Sequence, residues 1–139
     1  MGDSTARRIA LMAIHPKYAE AILSGRKRIE FRKRSLASDI SDVLIYATRP
    51  VQRIVGRFKV AEVVCDSPVQ LWAEYGDLGA ISRSDFVAYY SGALCAYGFL
   101  VAHVERFPVP YTLQEMWPQP AVPQSISYLS EPASLLAGS

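Results

Sequence analysis

Between residues 8 and 34 the hydrophobic pattern changes character three times, and that succession limits the folds open to the chain. Arg8 to Ile14 (RIALMAI) is a nearly continuous apolar run of strand length, stopped by His15 and Pro16, and reads as a buried strand. Pro16 suits the first turn of a helix, Tyr18/Ile22 and Ala19/Leu23 stand at i, i+4 spacing, and Gly25 suits a left-handed cap. These residues predict a short helix from about Pro16 to Ser24. Lys27 to Lys33 then alternates, with Ile29 and Phe31 on one face and Arg28, Glu30 and Arg32 on the other. That is the pattern of a half-buried strand, with Lys27 as its first residue.

Downstream, Val43 to Ala47 is apolar on both parities and suggests a central strand, followed by a turn at Arg49 and Pro50. Ile54 to Val64 reads as a longer strand in which Ile54, Phe58, Val60 and Val64 share one parity and Gly56 marks a bulge or a close backbone approach. From Ser67 to Gly92 the period turns helical, with Ser67-Pro68 and Ser82 as helix starts and Leu71/Tyr75 and Phe86/Tyr89/Tyr90 as apolar stripes. Cys95 to Phe107 is expected to be the last long strand, broken at Pro108 to Pro110. The proline-rich return segment after it is expected to be irregular, and mobile beyond about Glu131. Alternating strands with two helical insertions suit an α+β fold built as a small, mostly antiparallel β-barrel with short helices at its openings, because closure removes exposed edges. An open α+β sandwich is the alternative.

Charge is unevenly spread. Residues 1 to 60 hold thirteen Lys/Arg and five Asp/Glu, a balance of +8, whereas residues 61 to 139 hold two and eight, a balance of −6, so the net +2 hides a polarised molecule. Six of the fifteen cations fall between Arg26 and Arg34, with Glu30 alone among them. Such density on ordered backbone suggests a nucleic acid or another polyanion, against the plain alternative of a solvated face. The chain fits one domain, residues 1–139 with an ordered core over about 8–130, and half its residues are hydrophobic, so a packed globule is expected. Cys65 and Cys95 fall in apolar strand contexts without paired spacing, and the amino terminus lacks the apolar stretch of a signal peptide. Both favour a reducing cytoplasm. No apolar run approaches the roughly 20 residues of a membrane helix, so a soluble protein is expected. His15 and His103 lack partners at ligand spacing, and no glycine-rich phosphate loop, nucleophile elbow or zinc-finger spacing occurs; neither metal nor cofactor is expected.

The segment IHPKYAEAILSGRKRIEFRKR, together with the order of elements, resembles the activating-signal-cointegrator homology (ASCH) domain of the pseudouridine-synthase-and-archaeosine-transglycosylase (PUA)-like superfamily. The shared mark is a helix ending in a small residue and Gly, then Lys, then a strand bearing an acidic or hydroxyl residue and an Arg: here Ser24-Gly25, Lys27, Glu30 and Arg32. VLIYATRPVQRIVGRFKVAEV and PQSISYL extend the similarity over roughly Ile9 to Leu129, toward members described as transcriptional regulators. The resemblance implies a PUA-like barrel about a cleft and binding of RNA, DNA or a modified base. It also implies two enzyme branches. In an amidohydrolase of acetylated cytidine the Lys matches Lys27, but its catalytic Thr falls on Glu30, so the hydroxyl is missing. In a single-strand ribonuclease that uses Tyr, Lys and Ser, Lys27 matches the Lys, Ser125 or Ser127 falls near by if the PQSIS segment folds back, and the Tyr has no assigned match.

From the residues themselves, Gly25 can present backbone N–H groups to an anion, and Lys27, if desolvated among Arg26, Arg28 and Arg32, becomes a base or nucleophile. Glu30 and Arg32, two apart on one strand face, can orient each other or read a base edge. Tyr46, Trp72, Tyr97 and Trp117 are candidates for stacking, with Trp117 in EMWPQP the one best placed to be exposed. Three functions remain in view. The first is a nucleic-acid-binding module, with phosphates on Arg26, Arg28, Lys33 and Arg34, one nucleotide between Lys27, Glu30 and Arg32, and further contacts from Gly25, Trp117 and Ser125. The second is an enzyme on the same cleft with Lys27 and Glu30 catalytic. The third is a protein-interaction domain that docks an acidic partner. RNA or a single-stranded nucleic acid is the expected partner, because a paired base cannot enter a narrow pocket.

Overall fold

The computed structural model describes residues 8–130, so the tail expected to be mobile beyond Glu131 lies outside the described residues. Its elements are β1 (Arg8–Ile14), α1 (Pro16–Leu23), β2 (Ile29–Arg32), β3 (Asp42–Ala47), β4 (Arg53–Asp66), α2 (Pro68–Tyr75), α3 (Arg83–Tyr89), β5 (Ala96–Tyr111) and β6 (Ile126–Ser130). Short 3-10 turns cover Gly76–Leu78 and Leu113–Glu115. The six strands form one sheet in the order β2-β5-β4-β3-β1-β6. Only β1 and β3 pair in parallel; every other neighbouring pair is antiparallel. The mixed, mostly antiparallel α+β class holds. No backbone ladder joins the edge strands β2 and β6 among the described residues, so barrel closure is not shown.

Burial explains the patterns along the strands. β1 and β3 lie inside the sheet with both faces covered, which is why RIALMAI and VLIYA are apolar on both parities. Ala10, Met12 and Ile14 join Val43, Ile45, Phe58 and Phe99 in one core, which α1 covers with Ala19 and Ile22. Ile9, Leu11, Leu44, Tyr46 and Ile54 face the other way, toward Phe107, Leu113 and Met116. A third cluster sets Ile29 and Phe31 of β2 against Leu71, Phe86 and Tyr90 from the α2–α3 region. Since Ile29 and Phe31 point there, Glu30 and Arg32 must point back. They stand opposite Phe99 and Tyr97 of β5, on the side of the first core.

Helix ends follow the sequence signals. His15 Nδ1 accepts the Lys17 N–H ahead of α1, and Ser67 and Ser82 accept the N–H groups of Gln70 and Asp85. Gly25 adopts φ +86°, which reverses the chain between α1 and β2.

Five expectations need correction. The strand expected from Lys27 begins only at Ile29; the Lys27 N–H bonds to the Ala21 carbonyl, so Lys27 belongs to the turn. The last long strand runs through Pro108 and Pro110 to Tyr111, because β5 beyond its pairing with β2 is bonded on one side only and can spare those N–H groups. The return segment is not wholly irregular, since Ile126–Ser130 pairs with β1. Register shifts in β4 put Ile54 in the second core and Phe58 in the first, despite their common parity, and both cysteines are exposed.

Gly56 is the close approach that the sequence suggested: a Cβ there would overlap the Glu105 carbonyl oxygen and Leu23 Cδ2. Gly56→Ala is therefore expected to lower the free energy of urea unfolding by about 1–3 kcal/mol, whereas an unchanged midpoint would mean that β4, β5 and α1 separate there at no cost.

Candidate functional site

The end of β1, helix α1, the Gly25 turn, β2 and helix α3 line an open cavity of about 550 Å³. Its charged lining is Lys27, Glu30, Arg32 and Asp85, and its walls include His15, Tyr18, Phe31 and Tyr89. Lys27 and Glu30 are 3% and 6% exposed, an unusual depth for such residues. The Gly25 reversal brings the chain back under α1, and the lysine side chain runs inward. Its Nζ donates to the Gly79 carbonyl at 2.6 Å, stands 3.9 Å from Glu30 Oε1, and lies over the rings of Tyr18 and Phe31 at 4.9 and 5.4 Å.

Arg32 organises the other side. Its Nε donates to Glu30 Oε2 at 2.9 Å, Nη2 to the Ala13 carbonyl at 2.7 Å and Nη1 to Ser125 Oγ at 3.0 Å. The guanidinium thus ties β2 to β1 and to the residue just ahead of β6. Its own backbone carbonyl accepts the Tyr90 hydroxyl at 2.9 Å. Glu30 is left with one oxygen bound by Arg32 and the other, Oε1, buried without a hydrogen-bond partner. Such an oxygen is costly to desolvate, and an N–H from an entering molecule would satisfy it.

Burial above all pushes the Lys27 ammonium below the ordinary lysine range; Glu30 opposes the shift and Arg32 adds to it. Burial likewise raises the phenols of Tyr18 and Tyr89, so both rings enter the cavity as neutral hydroxyls. The arrangement offers a hydrogen-bond acceptor beside a cation of reduced basicity, between aromatic faces.

Three of the residues singled out from the sequence, Lys27, Glu30 and Arg32, come together here. Gly25, Arg26, Arg28, Lys33 and Arg34 are exposed, with Lys33 Nζ 4.8 Å over the Tyr89 ring. Ser125 meets the site through Arg32. Trp117 is 75% exposed but does not line the cavity. Tyr46 is in the second core, Trp72 packs on Phe86, and Tyr97 lies beside Cys65, so none of the expected stacking residues is in the cavity. The aromatics that are include Phe31, read in sequence as the apolar face of a strand, and Tyr18 and Tyr89, read as apolar helix positions. Asp85 was not singled out from the sequence, and His15 figured there as a strand stop and as a histidine without partners at ligand spacing. No group of three or more metal-ligating side chains is gathered among the described residues.

A family model described as the ASCH domain matches residues 12–117. An ASCH domain-containing ribonuclease from Zymomonas mobilis is 34% identical over 133 residues, which cover 93% of this chain and 89% of that protein. The crystal structure of ASCH from Zymomonas mobilis superposes with a TM-score of 0.83 at 30% identity, over 91% of each chain. Two substituted forms of the Zymomonas protein, one with a tyrosine changed to phenylalanine and one with a serine changed to alanine, superpose with a TM-score of 0.80.

The lowered Lys27 pKa has a stability consequence. Below its folded-state value, the fold holds a charged, desolvated ammonium. Between that value and the unfolded one near 10.5, the unfolded chain binds more protons and stability rises with pH. The unfolding free energy of the wild type relative to Lys27→Met should therefore grow in the wild type's favour from pH 7 to pH 10; a flat difference would mean that burial does not perturb this lysine.

Proposed function

This chain belongs to the ASCH domain family, and on that footing we propose that it binds single-stranded RNA, seating one unpaired base in the Lys27–Glu30–Arg32 chamber. The observation that carries this reading is the buried, unpartnered Glu30 Oε1 beside Lys27 Nζ. An exocyclic or ring N–H of a base satisfies the carboxylate, the ammonium donates to a neighbouring carbonyl or ring nitrogen, and Tyr18 and Phe31 flank the plane. Arg26, Arg28, Lys33 and Arg34 supply phosphate contacts from outside. A paired base has its Watson–Crick edge engaged and is held in the stack, which favours a single-stranded ligand. A regulatory role would follow from such binding without any chemistry.

A second reading, cleavage of the bound RNA, is favoured by the ribonuclease name of the Zymomonas relative and by the reduced basicity of Lys27. A lysine whose basicity is lowered by burial is better suited than a solvated one to take a 2′-hydroxyl proton, and once charged to stabilise the phosphorane. The Zymomonas protein has been altered at a tyrosine and at a serine; Tyr18, Tyr89 and Ser125 are the residues of those types around this chamber.

Binding of an end-labelled single-stranded RNA, followed by anisotropy at several salt concentrations, tests the first reading. Affinity should fall with a log–log slope of about −0.7 per contacted phosphate. Glu30→Gln should weaken binding by about tenfold at an unchanged slope, since it removes a base contact, whereas Arg34→Ala should make the slope shallower by about 0.7. Binding indifferent to salt, or as tight with Glu30→Gln, would overturn it. The same samples on a denaturing gel test the second: cleavage by the wild type reduced at least about a hundredfold in Lys27→Ala supports it, and intact RNA from the wild type refutes it.

A further inference from the structure

A second cavity of about 500 Å³ adjoins the chamber, bounded by Arg32, Lys33, Arg34, Tyr89, Ser125 and Tyr128 among others. Arg32 and Tyr89 line both cavities, so one guanidinium and one aromatic ring form the partition between them. Three properties distinguish this space from an ordinary surface hollow. Two of its three cations lack a carboxylate: among the described residues neither Lys33 nor Arg34 has one within ion-pair distance, while Arg32 is held by Glu30. It presents aromatic surface, since Tyr89 and Tyr128 are each more than a third exposed. Finally, the Lys33 ammonium over the Tyr89 ring holds a positive charge at the dividing wall.

Lys33 and Arg34 without carboxylate partners among the described residues, two partly exposed phenol rings that each have a cation over one face only, and a serine hydroxyl suit a nucleotide better than an acidic peptide, which would leave the other ring faces unused. We propose that this second cavity is a subsite for the nucleotide adjoining the one in the chamber, so that the smallest ligand filling the site is a dinucleotide step of single-stranded RNA and not a free nucleoside. The inference rests on the single-stranded RNA reading above. In it, Tyr89 separates two neighbouring bases, and the phosphate joining them lies against Lys33.

Calorimetric titration separates the inference from the reading beneath it. The two ligands are a 2′-O-methyl nucleoside 3′-monophosphate and the 2′-O-methyl dinucleoside monophosphate that extends it by one nucleoside; the methyl group blocks cleavage through the 2′-oxygen. The dinucleoside carries the lower charge, so any gain reads the second nucleoside and not electrostatics. The expected result is binding about tenfold tighter for the dinucleoside, with the advantage reduced to within about twofold in Ser35→Trp, which fills the second cavity from its exposed rim. Equal affinity for both ligands in the wild type would overturn the subsite and leave the one-base chamber standing. An advantage that persists in Ser35→Trp would overturn it too, by locating the second nucleoside elsewhere. Binding of neither ligand would remove the single-stranded RNA reading itself.

Discussion

Arg32 is the side chain on which the arrangement turns. Its guanidinium leaves β2, the first strand of the sheet, and bonds the Ala13 carbonyl on β1 and the Ser125 hydroxyl ahead of β6, the last strand. Among the described residues no backbone ladder bridges those edges, and one charged fork does so instead, with a geometry that a lysine could not reproduce. The same group clamps one oxygen of Glu30 and leaves the other facing Lys27 at 3.9 Å with no hydrogen-bond partner. Arg32 is thus chiefly an organiser of the chamber, and Glu30 Oε1 and the Lys27 ammonium are its available chemistry.

That chemistry depends on keeping charges where water does not reach them. A lysine and a glutamate this deeply buried are poor sources of stability, because desolvation cancels most of their mutual attraction. Their placement beside a cavity, and not within a packed core, is what links the cost to a function. The apolar clusters on either side supply the rigidity: Ile29 and Phe31 anchor β2 against α2 and α3, while α1 closes the first core with Ala19 and Ile22. Between these two anchored surfaces, the Gly25 turn has little freedom to withdraw Lys27.

Much of the fold was legible in the sequence because its signals are local. The apolar run of β1, the Pro16 start and Gly25 end of α1, and the Ser67 and Ser82 caps each follow from neighbours in the chain. What was not legible depends on distant partners. β6 is five residues long and is a strand only because β1 offers an edge; β5 passes two prolines only because no second strand bonds it there. The alternation at Ile29 to Arg32 correctly separated Glu30 and Arg32 from Ile29 and Phe31, yet nothing local showed that this second face would also be covered, or that Lys27 would turn inward. Tyr18 and Tyr89 looked like core positions of two helices, and only the meeting of α1 with α3 makes them the walls of one cavity. Family resemblance drew attention to Lys27, Glu30 and Arg32, whereas the free oxygen of Glu30 is a property of three-dimensional geometry alone.

The central claim is that the buried lysine, and not only the exposed cations, meets the ligand. Lys17, Lys27, Lys33 and Lys59 are the four lysines of the chain, so side-chain carbon resonances of lysine-labelled protein can be followed individually by NMR while a short single-stranded RNA is added. The account predicts that the Lys27 resonance moves most and saturates with binding, with Lys33 following and Lys59, held by Asp42, unmoved. Saturable binding that shifts the exposed lysines and leaves Lys27 in place would contradict it.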